Sequence, residues 1–179
     1  MRMLNGIRDI SRFIAPKSVV VEIGCYAGES TELFLECKNV AKLICIDPWP
    51  EDYYSGKQLI SAEARFDEVT AAAVAKKRLV KRKDFSSVVL SDMIAKGEKV
   101  DFIYIDGNHS YEFVRQDILL AKQVVKPGGI IAGHDYQYHK SPGVEKAVNE
   151  LLGFPDVRFA DYSWIKFVDR IGVNDSIGG

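Results

Sequence analysis

What this chain has little of narrows its class before any motif is read. Neither charge sign dominates: 24 Lys and Arg stand against 25 Asp and Glu, a formal net charge of -1. That balance removes the electrostatic case for a binder of nucleic acid or of membrane surfaces. The one basic cluster, Lys76-Lys77-Arg78 with Lys81-Arg82-Lys83, reads as a solvated helix end and strand edge. Cysteine is scarce: Cys25, Cys37 and Cys45 make an odd count with no CxxC pair, which excludes a disulfide framework and a zinc-finger pattern. No apolar run approaches the ~20 residues of a membrane span. The N-terminal stretch MRMLNGIRDISRFIAPKS has neither a continuous apolar segment nor a small-residue cleavage pattern, so no signal peptide is expected and a cytoplasmic setting is. Repeats, low-complexity linkers and internal boundaries are also missing. A chain of 179 residues with 47% hydrophobic content is therefore expected to form one domain, residues 1–179, with a full core.

What is present is an alternation of periods. Leu4, Ile7, Ile10, Phe13 and Ile14 fall at helical spacing and stop before Pro16. Apolar β-branched runs at Ser18–Ile23, Lys42–Asp47, Arg78–Lys83, Val100–Asp106 and Ile130–His134 read as buried parallel strands. Between them lie segments of helical length: a run through Glu32–Cys37, an alanine-rich one from Ser61 to Lys77, one to about Lys96 and one from about Tyr111 to Val125. Pro50 to about Ile60 reads as an aromatic loop, and Lys126-Pro127-Gly128-Gly129 as a turn. A short helix over Gly143–Leu152 precedes two alternating runs, Val157–Tyr162 and Trp164–Asp169, and the tail IGVNDSIGG looks frayed. The pattern implies an α/β fold: a doubly wound, mostly parallel sheet with a C-terminal antiparallel hairpin.

In such a sheet ligands bind at the carboxyl ends of the strands, so function must be sought there. The first tip, Glu22-Ile23-Gly24-Cys25-Tyr26-Ala27-Gly28, opens a helix. Glycine lets a backbone approach a ligand, although a plain tight turn would look the same. Asp47 ends the second strand, where an acid receives the ribose hydroxyls of a nucleoside. Tyr26 occupies the place of the second glycine of a dinucleotide fingerprint, which disfavours NAD. At the third tip Asp84 and Phe85 offer a carboxylate acceptor and an aromatic face, which suit an adenine; a helix N-cap at Asp84 or Ser86 fits as well. The fourth and fifth tips carry Asp106 with His109, and His134 with Asp135, groups able to bind a metal or move a proton.

Together VEIGCYAGEST, CIDPW, KRKDFS, IDGNHSYEFVRQDI and KPGGIIAGHDY resemble the class I S-adenosylmethionine-dependent methyltransferases, over about residues 18 to 136. The resemblance is nearest to the macrocin and cephalosporin-hydroxylase-type small-molecule O-methyltransferases, which have a Rossmann-like fold. It implies a cofactor set of Glu22, Gly24, Tyr26, Gly28, Ser30, Asp47, Asp84, Phe85 and Asp106, with Glu22, Gly24 and Gly28 on the methionine part. It also implies catalysis by His109 as general base with Asp106, and a divalent cation, magnesium or manganese, on Asp106, His134 and Asp135. His134 departs from the oxygen-bearing side chain usual there, and an imidazole shifts preference towards softer metals.

The acceptor expected is a hydroxyl of a sugar or sugar-containing metabolite. Aromatic residues Trp49, Tyr53, Tyr54, Tyr136 and Tyr138 could wall it, or form an ordinary lid, and His139 sits in a polar loop near the same mouth. Tyr111, Arg115 and Asp117 read as fold residues of the crossover helix. A Rossmann-type oxidoreductase and a non-catalytic nucleoside-binding or partner-docking domain are the competing readings. Oligomeric state, and membership of a larger enzyme, are left open by the sequence.

Overall fold

The computed structural model describes residues 3–50 and 56–168, with side chains from residue 6 onwards except at 56–61. The chain begins with α1 (Met3–Ile10), which tightens into a 3-10 turn at Ser11–Phe13. Then β1 (Ser18–Ile23), α2 (Glu29–Glu36), β2 (Val40–Ile46), α3 (Gly56–Ala75), β3 (Leu79–Arg82), α4 (Ser86–Ala95) and β4 (Val100–Ile105) alternate. They are followed by α5 (Tyr111–Val124), β5 (Val125–Gly133), α6 (Pro142–Leu152), β6 (Val157–Arg158) and β7 (Trp164–Phe167). The expected loop up to Ile60 is shorter than anticipated, since Gly56–Ala75 is helical; its Lys-Gln-Leu start is made of good helix formers. Tyr53, Tyr54 and the expected frayed tail lie outside the described residues.

Among the described residues seven strands stand in the order β3-β2-β1-β4-β5-β7-β6. The first five pair in parallel, while β7 runs antiparallel to both β5 and β6, giving the expected terminal hairpin. Successive strand residues face opposite layers, as a period of two demands. In β1, Val21 and Ile23 pack with Leu90, Ile118 and Val148 on one face. Val20 packs with Ile10, Phe34 and Phe66 on the other. Two cores thus clamp the sheet, which is why its strands read as continuous apolar runs. Among the described residues no helix is long and apolar enough to cross a membrane.

The Lys126–Gly129 turn is a partial miss. Those residues belong to β5, but the register jumps from Val100↔Val125 to Phe102↔Ile130, so they bulge out of the ladder. Gly128 N donates to Val168 O, and Val168 N to Gly129 O, both at 2.9 Å. Strand pairing therefore satisfies a glycine-proline segment whose composition alone signals a turn.

Candidate active site

The strand order reverses on either side of the β1–β4 pair, and a cleft of about 380 Å³ opens there at the carboxyl ends. Its β1 wall is fixed by backbone contacts. Gly24 has φ 86°, and a Cβ there would lie 2.2 Å from the Asp106 carbonyl oxygen. Asp106 N donates to Ile23 O at 2.9 Å and Gly24 N to Ile46 O at 3.0 Å, so three tips are stitched together at this glycine. Gly28, at φ 93°, precedes α2 as its N-cap, and a Cβ there would press on Val69.

Glu22 is fully buried and lies under the loop, outside the cleft lining. Its carboxylate accepts from Ser30 Oγ and, at 2.7 Å, from Thr31 Oγ1, tying β1 to the first turn of α2. Burial pushes its pKa up to about 7 against the pull of those hydroxyls. Glu22, Gly28 and Ser30 hold the shape of the loop, whereas Gly24, Tyr26, Asp47, Phe85, Asp106 and His109 line the cleft. Asp47 accepts through Oδ2 from Cys25 N and Tyr26 N, each 3.0 Å, and through Oδ1 from Trp49 N at 2.9 Å. Trp49 is buried, donates Nε1 to Tyr26 O at 2.9 Å and packs on Phe66, so it anchors the loop to α3.

At the third tip Phe85 and Ser86 line the cleft. Asp84 accepts from the neighbouring Phe85 N at 2.7 Å and does not line the cleft. A carboxylate nonetheless reaches the lining from α5: Asp117, only 3% exposed, accepts from Ser86 Oγ at 2.5 Å. Burial raises it to about 6, with the Ser86 hydroxyl opposing. The sequence signal was its register, since Val114, Asp117, Ile118 and Ala121 share the buried face of α5. A lone acid on an apolar stripe needs a reason.

The fourth and fifth tips converge. His109 Nε2 lies 3.0 Å from Asp135 Oδ2 and 3.4 Å from Asp106 Oδ1. His134 Nδ1 lies 3.1 Å from Asp135 Oδ1, and Ser141 Oγ donates to Asp135 Oδ2 at 3.5 Å. Asp135 adopts φ 61°, a left-handed conformation that aspartate tolerates and that turns its carboxylate between the two rings. Bonding first to Asp106 and then to Asp135 raises His109 to about 10 despite partial burial. Burial alone would raise Asp135, but its bonds to the two histidines hold it well below the usual carboxylate range. Asp106 is raised, chiefly by burial. Burial opposes a charged His134, but Asp135 and the nearby Asp106 and Asp161 outweigh it and raise that group too.

The fit to a cation can be tested on one atom. His134 Nε2 is buried and has no hydrogen-bond partner among the described residues. Ligand-type atoms of Asp106, His134 and Asp135 lie within 4.8 Å of one another. A nitrogen lone pair and two carboxylates on such a cluster fit a divalent metal.

Of the aromatic wall, Tyr136 is buried and donates to Asn149 Oδ1 at 2.8 Å, so it belongs to the fold, as Trp49 does. Tyr138 packs edge-on against His139 and tilted on Tyr162, with centroids 4.8 and 5.1 Å away. Tyr111 and Arg115 both reach Glu150 of α6, in keeping with fold roles.

Residues 21–136 match a protein family described as a methyltransferase domain. An uncharacterized protein of Acanthamoeba polyphaga mimivirus is 30% identical over 151 residues, 82% of this chain; the chain spans 64% of that relative's length. Among solved structures, CalS11, a calicheamicin methyltransferase, superposes with a TM-score of 0.71 at 16% identity, over 92% of this chain and 77% of that one. Its apo structure, described as a TDP-rhamnose 3'-O-methyltransferase, gives 0.65 at 13% over 92% and 76%. The N-methyltransferase NodS from Bradyrhizobium japonicum gives 0.63 at 17% over 93% and 94%. At these identities the structural likeness is one of fold.

Proposed function

The chain belongs to the methyltransferase-domain family whose pattern spans residues 21–136, and from that premise we propose that it is an S-adenosylmethionine-dependent O-methyltransferase, metal-assisted, acting on a sugar hydroxyl. The observation that carries the reading is that His109 and Asp106 line the same cleft as Gly24 and Asp47, with Asp135 behind them in contact with His109. Methyl transfer breaks the sulfonium S–CH3 bond, forms O–CH3 in line, and sends the hydroxyl proton to a base. Gly24, Tyr26 and Asp47 would hold the methionine and ribose parts of the donor, and Phe85 would stack on its purine.

Asp106, His134 and Asp135 would hold the cation. A magnesium or manganese ion there would supply positive charge that favours loss of the acceptor's hydroxyl proton and would offset the carboxylates that raise His109. His109, oriented by Asp135 at 3.0 Å, would be the proton acceptor. The sugar acceptor draws support from the apo CalS11 structure, whose described substrate is a TDP-rhamnose hydroxyl.

The test is a mass-spectrometric screen of sugars and nucleotide sugars, with S-adenosylmethionine and manganese or magnesium, for a mass gain of one methylene. His109→Ala should lower turnover by about a hundredfold or more, with S-adenosylhomocysteine affinity kept within about twofold. Full turnover in that variant would remove His109 from the chemistry.

A further inference from the structure

We infer that Glu22, Cys25 and Cys45 form a second metal site, for a thiophilic divalent cation of the zinc and cadmium class, beneath the loop that leaves β1. The site shares no residue with the cluster at the fourth and fifth tips, and it stands whatever reaction the cleft performs. Ligand-type atoms of the three side chains lie within 4.8 Å of one another, and all three residues are buried. The sheet makes this grouping. Glu22 and Cys45 are register partners in the β1–β2 ladder, and Cys45 Sγ lies 3.7 Å from Glu22 Oε2. Gly24 and Tyr26, left-handed at φ 86° and 44°, fold the chain back on either side of Cys25. Cys25 Sγ then lies 3.6 Å from Glu22 O and 3.7 Å from Ile46 O. No motif spacing announces the site, because strand register rather than a CxxC turn brings the sulfurs together.

The spacing suits a tetrahedral ion. Zinc–sulfur bonds of about 2.3 Å and zinc–oxygen bonds of about 2.0 Å set ligand atoms roughly 3.5–3.8 Å apart. The 3.7 Å between Cys45 Sγ and Glu22 Oε2 falls in that interval. Glu22 O or Ile46 O, each beside Cys25 Sγ, would complete the coordination. The two sulfurs fix the class of metal, since thiolates select soft cations over magnesium and manganese. Burial raises both thiols, so an incoming ion must displace their protons, which a thiophilic cation does. The competing explanation is packing alone: both cysteines lie in the core cluster that holds Phe34, Leu43 and Phe66. Sulfurs that only pack would take up no ion.

The experiment titrates cadmium into the full chain, reduced and chelator-treated, and records the ultraviolet thiolate-to-cadmium charge-transfer band. The chain has three cysteines, so Cys37→Ser leaves only Cys25 and Cys45 as sources of that band. This variant should keep the wild-type intensity and saturate at one ion per chain. Cys25→Ser and Cys45→Ser should each lower the intensity by about half or more, because one of two thiolate bonds is gone. If neither of those variants folds, the Cys37→Ser titration decides alone. Manganese in excess should give no band of its own and leave the cadmium band in place. A Cys37→Ser protein without the band would overturn the site. So would a band that persists at full intensity in both Cys25→Ser and Cys45→Ser, or one that manganese removes.

Discussion

Glu22 is a buried acid bonded only to groups of its own chain, the hydroxyls of Ser30 and Thr31 among them. An acid whose folded pKa lies above its unfolded value favours the folded state when protonated. Its advantage, fully present below the ordinary value of 4.5, is lost as the pH rises through about 7. The ionised, buried carboxylate then costs about 3 kcal/mol relative to the unfolded chain. Glu22→Gln should therefore flatten the fall in stability between pH 5 and pH 8, as read from urea midpoints at each pH. An unchanged slope would place the pH sensitivity elsewhere. The identities of the tip residues were legible in the sequence: Asp106 and His109 share a loop, and His134 and Asp135 close the fifth strand. Their division of labour was not. Side-chain direction decides that Glu22 bonds backwards to Ser30 and Thr31, and that Asp84 bonds to its neighbour while Asp117 reaches the cleft. Periodicity places residues on faces; it does not say which partner satisfies them.

At the scale of elements the strands were the most legible part, because burial on both faces leaves unbroken apolar runs. β1 spans the expected residues, and α5 starts at the expected Tyr111. The bulge at Lys126–Gly129 was hidden because long-range pairing with β4 and the chain after β7 overrides local turn chemistry. The role of Gly24 was also only half visible. Its place in a loop after β1 marks it as special, but its tightest neighbour is the backbone of the β4 tip. Gly24→Ala would combine a left-handed φ with a 2.2 Å approach to a carbonyl oxygen. A loss of roughly 2–4 kcal/mol should follow, together with loss of cofactor binding. Denaturant unfolding checks the first, and calorimetry the second. A fully stable variant that failed only in binding would show that the glycine serves the ligand alone.

For the whole molecule, the test of the metal cluster is linkage. A cation that binds only the folded state at about a hundredfold its dissociation constant adds about 2.7 kcal/mol. Manganese, titrated into chelator-treated protein, should then raise the melting temperature by roughly 5 °C or more, and Asp135→Asn should abolish most of that rise. An equal rise in the variant would move the ion to another place. The same measurement needs concentrated protein, and here the strand order matters in a different way. The sheet ends on one side at β3, four residues long, with Lys81 paired to Glu63 and Asp67 and Arg82 paired to Asp92. On the other side, among the described residues, it ends at β6, two residues long and carrying Arg158. Short borders of this kind, carrying charged side chains, offer a stray strand from another molecule little to zip onto. The order that opens the cleft at the centre thus also leaves the flanks poor templates for aggregation.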